Sequence, residues 1–193
     1  MAHVRGKDKN MSAKSDPGSH YTVTEVVRDV EIENSIGTFS AACIRVKANN
    51  ETTDHLAFYK SIGVPLTLRI QSGCVLGHVF GDNECDCKAQ LDKSLRYIHS
   101  QNEGMVIYTP SHDARGRGIY SKLQIYRTRQ ERCIDSAAAC RETGVPFDTR
   151  DFSQFSSILG VFDVKSVALL GRSAAKAKAL IEAGISVVSS VPL

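Results

Sequence analysis

Apolar residues change their spacing along this chain, and the change divides it into a β-rich beginning and an α/β remainder. Val23, Val26, Val27 and Val30 start a stretch of β-branched residues, and Ser35-Ile36-Gly37-Thr38 reads as a turn. Strands are predicted over residues 39–46 and 66–70. Leu91, Leu95 and Ile98 then recur at i, i+4 and i+7 between Asp92, Lys93 and Arg96, the spacing of an amphipathic helix. Gly104 closes it, and residues 105–109 (MVIYT) read as a short buried strand. Helices are predicted over 119–129 and 136–143, the second with Asp135 or Ser136 as N-cap. A strand at 167–170, an Ala-rich helix at 174–183 closed by Gly184 and a strand at 185–188 make a compact βαβ unit. Such a unit predicts two parallel strands joined by a right-handed crossover.

The first 22 residues are of another kind. Arg5, Lys7, Lys9 and Lys14 lie among Ser, Asn, Gly and Pro17, which reads as a disordered polar tail. Residues 23–193 are then one α/β domain, since 193 residues suffice for a single domain with a real core but hardly for two. Hydrophobic residues at 42% and charged residues at 23% exclude a disordered or fibrous chain. No apolar run approaches the ~20 residues of a membrane helix, and the start lacks an apolar signal core, so a cytoplasmic protein without a membrane partner is expected. With 24 Lys+Arg against 21 Asp+Glu, the net charge of +3 is too weak to argue for nucleic acid.

Six cysteines without an export signal read as metal ligands, nucleophiles or core thiols rather than as a disulfide frame. Cys74, Cys85 and Cys87 are spaced C-x10-C-x-C, and three thiolates suit Zn²⁺. Three protein ligands leave a fourth position for a water made acidic by the metal. The alternatives are a closed structural site completed by His78 and a chance cluster of buried thiols. Cys43, Cys133 and Cys140 read as core filler. Arg115 and Arg117 among Gly116 and Gly118, entering a helix, offer guanidinium forks and a helix N-terminus to an anion, or else a solvated basic turn. Asp148-Thr149-Arg150-Asp151-Phe152, taken alone, reads as a salt-bridge cluster at a helix entry.

Taken together and in order, these residues resemble a family. The run Arg69-Ile-Gln-Ser-Gly-Cys74, Cys85-Asp-Cys87 with Gln90-Leu91, Asp113-Ala-Arg115-Gly-Arg-Gly118, Lys122 with Tyr126, and Asp148-x-Arg150-Asp-Phe152 closely resemble GTP cyclohydrolase II. The resemblance runs from about Ile36 to the C-terminus and includes the ending Val191-Pro-Leu193. It implies a mixed sheet with flanking helices and a homodimer. It also implies one zinc per chain on Cys74, Cys85 and Cys87, activating water to attack C8 of the guanine imidazole ring with loss of formate. Tyr126 stands at the position of the family's catalytic tyrosine, and Asp148 at that of a proposed base. Arg150 matches a residue proposed to attack the α-phosphorus as diphosphate leaves. A guanidinium stays protonated at neutral pH, so a phosphate clamp is the alternative role for Arg150. Magnesium would travel on the triphosphate. The implied substrate contacts are Arg69, Ile70, Gln71, Ser72, Gly73, Gln90, Asp113, Ala114, Arg115, Ser136, Gly171 and Lys176.

The departures from the family cluster at those contacts. Its Arg-Val-His-Ser-Glu is Arg69-Ile70-Gln71-Ser72-Gly73 here, which removes a carboxylate beside the metal. Its Glu-Gly-Arg is Asp113-Ala114-Arg115, a threonine is Gly171, a capping threonine is Ser136, and the phosphate-contacting lysine is kept as Lys176. The expected function is opening of GTP. The alternatives are a specialised relative that opens another purine or pyrimidine ring, and a non-catalytic zinc-binding homologue.

Overall fold

Among the described residues, the two-residue alternation of β-strands places apolar positions on both faces of a single mixed sheet of seven strands. The computed structural model describes residues 20–193. The polar tail expected at 1–22 therefore lies outside the described residues except for its last three, two of which already belong to a strand. β1 (Tyr21–Asn34), β2 (Gly37–Ala48) and β3 (Glu51–Tyr59) form an antiparallel meander. β3 has no counterpart among the predicted strands. Its Glu-Thr-Thr-Asp-His start carries the polar face of a strand whose other face supplies Ala57 and Tyr59 to the core.

β4 (Leu66–Ser72) and β5 (Met105–Thr109) are parallel neighbours, and β5 closes onto β3 in antiparallel fashion. β6 (Ser166–Leu170) pairs with the other side of β4, and β7 (Ser186–Val191) with β6, both in parallel. The order is β1-β2-β3-β5-β4-β6-β7. From β4 the chain turns to β5 on one side, whereas β6 and β7 lie on the other. Divergence of that kind opens a crevice at the carboxyl ends of parallel strands, where open α/β sheets bind ligands.

The short helix α1 (Val75–His78) and α2 (Cys87–Gln101) follow β4. A one-turn segment, α3 (Asp113–Gly116), then leads into α4 (Gly118–Arg132) and α5 (Ser136–Thr143). α6 (Gln154–Gly160) precedes β6, and α7 (Ala174–Glu182) joins β6 to β7. Leu68 and Ile70 of β4 and Met105 and Ile107 of β5 point into the main core with Phe155, Ile158 and Leu159 of α6 and Leu180 of α7. Val106 points to the opposite face, where Ile98, Leu91 and Leu95 of α2 pack with Phe39 and Leu170. A third small cluster, Ile125, Ala139 and Cys140, joins α4 to α5. Cys140 is thus the buried thiol expected, and Cys43 is half-buried. Cys133 is not the core filler expected but is exposed, at the left-handed residue that ends α4, past the face that packs on α5.

Candidate metal centre and anion site

Alternation along β4 sends Arg69 and Gln71 to the α2 face and Ser72 to the α6 face, so the strand's carboxyl end feeds both sides of the crevice. Immediately beyond it, the ligand atoms of Cys74, Cys85 and Cys87 lie within 4.8 Å of one another, a group that could hold a metal ion. Cys74 Sγ stands 3.7 Å from Cys85 Sγ. The α1 turn between them must be narrow. A Cβ on Gly77 would sit 2.5 Å from Cys85 Sγ and 3.1 Å from Cys74 Sγ, so glycine is what lets the backbone cradle the thiols. Lys122 Nζ donates to Cys74 Sγ at 3.2 Å. Burial pushes the Cys74 thiol up, but the Gly77 backbone N–H and the Lys122 ammonium outweigh it and bring it below its ordinary value. Burial and the neighbouring sulfurs push Cys87 up to about 12, the mutual repulsion expected of thiolates converging where a cation fits. The donor set and the cradle both suit a thiophilic divalent metal.

His78 does not join the cluster as a fourth ligand. Its Nδ1 pairs with Tyr108 Oη at 3.2 Å and its Nε2 lies 3.5 Å from Gln71 Nε2. Gln71 also donates to Cys87 O at 3.3 Å, and its Oε1 accepts from Arg69 Nε and Nη2 at 2.9 and 2.7 Å. Arg69 Nη2 reaches Gln90 Oε1 at 2.7 Å, and Nη1 reaches Leu170 O at 3.1 Å. Among the described residues this buried guanidinium thus hydrogen-bonds amide and carbonyl oxygens and no carboxylate. Gly171 lies against it: a Cβ there would stand 2.7 Å from Arg69 Nη1.

On the other side of the crevice, Arg150 grips Asp148 in bidentate fashion, at 2.9 Å from Nε and 2.5 Å from Nη2, and donates from Nη1 to Ser72 Oγ at 3.0 Å. Burial pushes the Asp148 carboxyl up, but the Arg150 guanidinium and backbone N–H prevail and hold it below the usual carboxylate range. Lys176 is half-buried and donates to Ile70 O at 2.8 Å. Burial, then the charges of Arg69 and Arg150, lower its ammonium to about 7. Among the described residues, Asp148 is the one carboxylate bonded to these three cations, so the cluster next to the thiols is a candidate anion site.

The Asp113-to-Gly118 segment, read as an anion site or a solvated basic turn, is neither freely solvated nor regularly helical. Ala114 and Arg115 are both left-handed, at φ 52° and 61°. Arg117 spends its donors on Ala114 O, Cys140 Sγ and Pro146 O, and Arg115 lies 3.9 Å over the Phe147 ring. Arg117 Nε and Nη1 therefore tie two loops together. Asp113 is buried beside the metal cluster, with Oδ2 accepting from Val75 N at 3.0 Å and Oδ1 without a partner among the described residues. Ser136 does not cap α5. Asp135 does, accepting from Ala138 N at 2.7 Å, while Ser136 stands exposed in the first turn with no hydrogen bond to the groups just named. The carboxylate absent at Gly73 has no room here, since a Cβ would approach Pro110 O to 2.6 Å.

Tyr126 lies one helical turn after Lys122 on α4. Its hydroxyl donates to Asp82 Oδ2 at 2.7 Å, and Lys122 Nζ stands 3.5 Å from the same oxygen. Burial and the Asp82 carboxylate push the phenol up to about 12, so it keeps its proton at neutral pH. Asp82 and Tyr108 were not foreseen as site residues, and His78 was foreseen only as a fourth metal ligand. Asp82 sits in a Gly-Asp-Asn turn with no periodicity to mark it, and the i, i+4 pairing of Lys122 with Tyr126 was the only available hint of a partner there.

A thiol cluster and a group of cations at the carboxyl edge of a mixed sheet define an α/β protein with a candidate metal centre beside a candidate anion site. Residues 24–192 match the family model of GTP cyclohydrolase II. The chain belongs to the GTP cyclohydrolase II family. It is 35% identical over 175 residues to a riboflavin biosynthesis protein RibBA of Bacillus cereus, covering 88% of this chain and 43% of that protein. To RibBA of Mycobacterium ulcerans it is 32% identical over 181 residues, covering 90% and 42%. The chain thus spans less than half the length of these relatives. A solved structure of RibBX, a two-domain 3,4-dihydroxy-2-butanone 4-phosphate synthase from A. baumannii, aligns with TM-score 0.42 and 14% identity over 87% of this chain and 40% of that one, a likeness too weak to carry an argument. Among the described residues, no helix is long and apolar enough to cross a membrane.

Proposed function

We propose that residues 23–193 form a zinc-dependent cyclohydrolase that opens the imidazole ring of GTP, releasing formate and diphosphate and leaving a diaminopyrimidinone ribosyl phosphate. The observation that carries this reading is the juxtaposition of the Cys74, Cys85 and Cys87 thiols with the Arg69, Arg150 and Lys176 cations at one sheet edge. A purine triphosphate needs both: a centre for its ring and a counter-charge for its phosphates.

Cys74, Cys85 and Cys87 would hold one zinc, which when bound supplies Lewis acidity for hydrolysis at the ring carbon. Lys122 balances the thiolate charge through Cys74. Asp113 Oδ1, buried without a partner among the described residues, would accept from an N–H of the base. Arg69 and Lys176 hold phosphate oxygens, and binding them raises the Lys176 ammonium from about 7 toward full protonation. The magnesium that accompanies the triphosphate would be held mainly by the nucleotide. For Arg150 the clamp reading is favoured, because its guanidinium already lies in the two-pronged pose that grips carboxylate or phosphate. The family also supplies the expectation of a cytoplasmic homodimer with no nucleic-acid partner.

The test is mass spectrometry of products after incubating zinc-loaded protein with GTP and magnesium. Formate, diphosphate and the opened pyrimidine are expected in equal amounts. Absence of formate would sink the GTP assignment. A second reading has its own observation: Gly73 is closed by Pro110 O, so no carboxylate can stand beside the metal at that position. A panel of other purine and pyrimidine nucleotides and bases decides it, and ring opening of one of them in preference to GTP would select a specialised relative. No ring opening of any compound would leave a non-catalytic zinc protein.

A further inference from the structure

The ten residues between Cys74 and Cys85 do more than space two metal ligands. Asp82 closes that loop from several directions. Its backbone N–H donates to Leu76 O at 3.0 Å, its carbonyl accepts from Cys85 N at 3.4 Å, and Oδ1 accepts from Glu84 N at 2.9 Å. Its second carboxylate oxygen leaves the loop altogether. Oδ2 accepts the Tyr126 hydroxyl at 2.7 Å from α4 and faces Lys122 Nζ at 3.5 Å. Both side chains are largely shielded where they meet, with the Lys122 and Asp82 side chains 11% and 13% exposed.

A carboxylate can only accept. A phenol bonded to it has committed its one hydrogen and offers only oxygen lone pairs to anything else. We infer that Asp82 is a positioning residue that sets the polarity of Tyr126, presenting its oxygen to the substrate as a hydrogen-bond acceptor. The inference rests on the cyclohydrolase reading, with Tyr126 as the catalytic tyrosine that the family resemblance implies. Lys122, next to both Asp82 and Cys74, ties the same oxygen to the metal centre, so the loop that delivers Cys85 also orients the tyrosine. The groups around the Tyr126 ring agree: Lys122 Nζ and Arg129 Cζ lie 5.3 and 5.5 Å from its centroid, and Arg129 is held by Glu84 of the same loop.

Asp82→Asn separates polarity from shape. The amide oxygen can still accept from Glu84 N, while the amide nitrogen becomes a donor toward Tyr126 and frees the phenolic hydrogen to point elsewhere. The protein is purified with zinc as wild type, D82N, Y126F and D82N/Y126F, with metal content and thermal midpoint measured for each. The expected result for D82N is full zinc content and a kcat at least tenfold lower, with KM within twofold. Adding D82N to Y126F should cause no further loss of kcat, because the partner it acts through is gone. Equal losses in both backgrounds would make Asp82 merely a loop brace and overturn the inference. So would a D82N enzyme with wild-type kcat.

A second readout needs no turnover. In protein labelled with ¹³C at tyrosine Cζ, the resonance lost in Y126F should shift in D82N while the others stay in place. An unshifted resonance refutes the contact itself. If wild type fails to open GTP, the substrate reading falls, and the resonance still decides whether Asp82 holds the hydroxyl.

Discussion

A single missing methyl group makes the thiol cluster possible. At Gly77 any larger residue must push Cys85 Sγ from its place, since the added Cβ would lie 2.5 Å away. Gly77→Ala is therefore expected to lower zinc stoichiometry to below about half while leaving circular dichroism in the far ultraviolet nearly unchanged. Metal analysis of the dialysed variant beside its spectrum checks this, and full zinc occupancy would show that the cradle can widen. The three cysteines were legible as ligands because their spacing is local and unusual. Asp82 was not, because its meaning depends on Tyr126, 44 residues further along the chain. The ties of Arg117 were hidden for the same reason: its sequence neighbours are glycines, but its spatial neighbours are Cys140 and Pro146.

At the scale of elements, hydrophobic period carried most of the prediction. The helix predicted from Leu91, Leu95 and Ile98, the strand at 105–109 and the closing βαβ unit all stand where their apolar spacing put them, and β6 and β7 are parallel. β3 escaped because its first residues are polar on both sides and its core contribution begins only at His55 and Ala57. The cap of α5 turns on one residue. Asp135 Oδ1 accepts from Ala138 N, so Asp135→Ala should cost about 1 kcal/mol, whereas Ser136→Ala should be nearly neutral. Urea denaturation of the two variants distinguishes them. A larger loss for Ser136→Ala would return the cap to Ser136.

For the whole molecule, two histidines set a limit on acid stability. His55 lies wholly buried between Thr53 and Thr109, and His112 is buried against Phe152 and Phe155. Burial lowers both to about 4, from an ordinary value near 6.5. Between those values the unfolded chain binds protons that the folded chain refuses, so stability falls as pH falls from about 6.5 to about 4. Chemical denaturation from pH 7 to pH 4.5 should show this decline, and His112→Asn should reduce the proton uptake on unfolding by about one. An unchanged uptake would place the titration elsewhere.

Much of this protein was written in one dimension. Apolar period determined the helices and most strands, and the cysteine spacing with the Asp-x-Arg-Asp-Phe run determined the family, because each signal is carried by residues close together in the chain. Tertiary structure alone decided which groups share the crevice. It set the buried Arg69 among amides, left Asp113 with an unpaired oxygen, turned Arg117 into a tie and aimed Tyr126 at Asp82. Those are contacts between elements far apart in the sequence, made when strand ends converge at one edge of the sheet, and no local pattern encodes which charge will find which partner there.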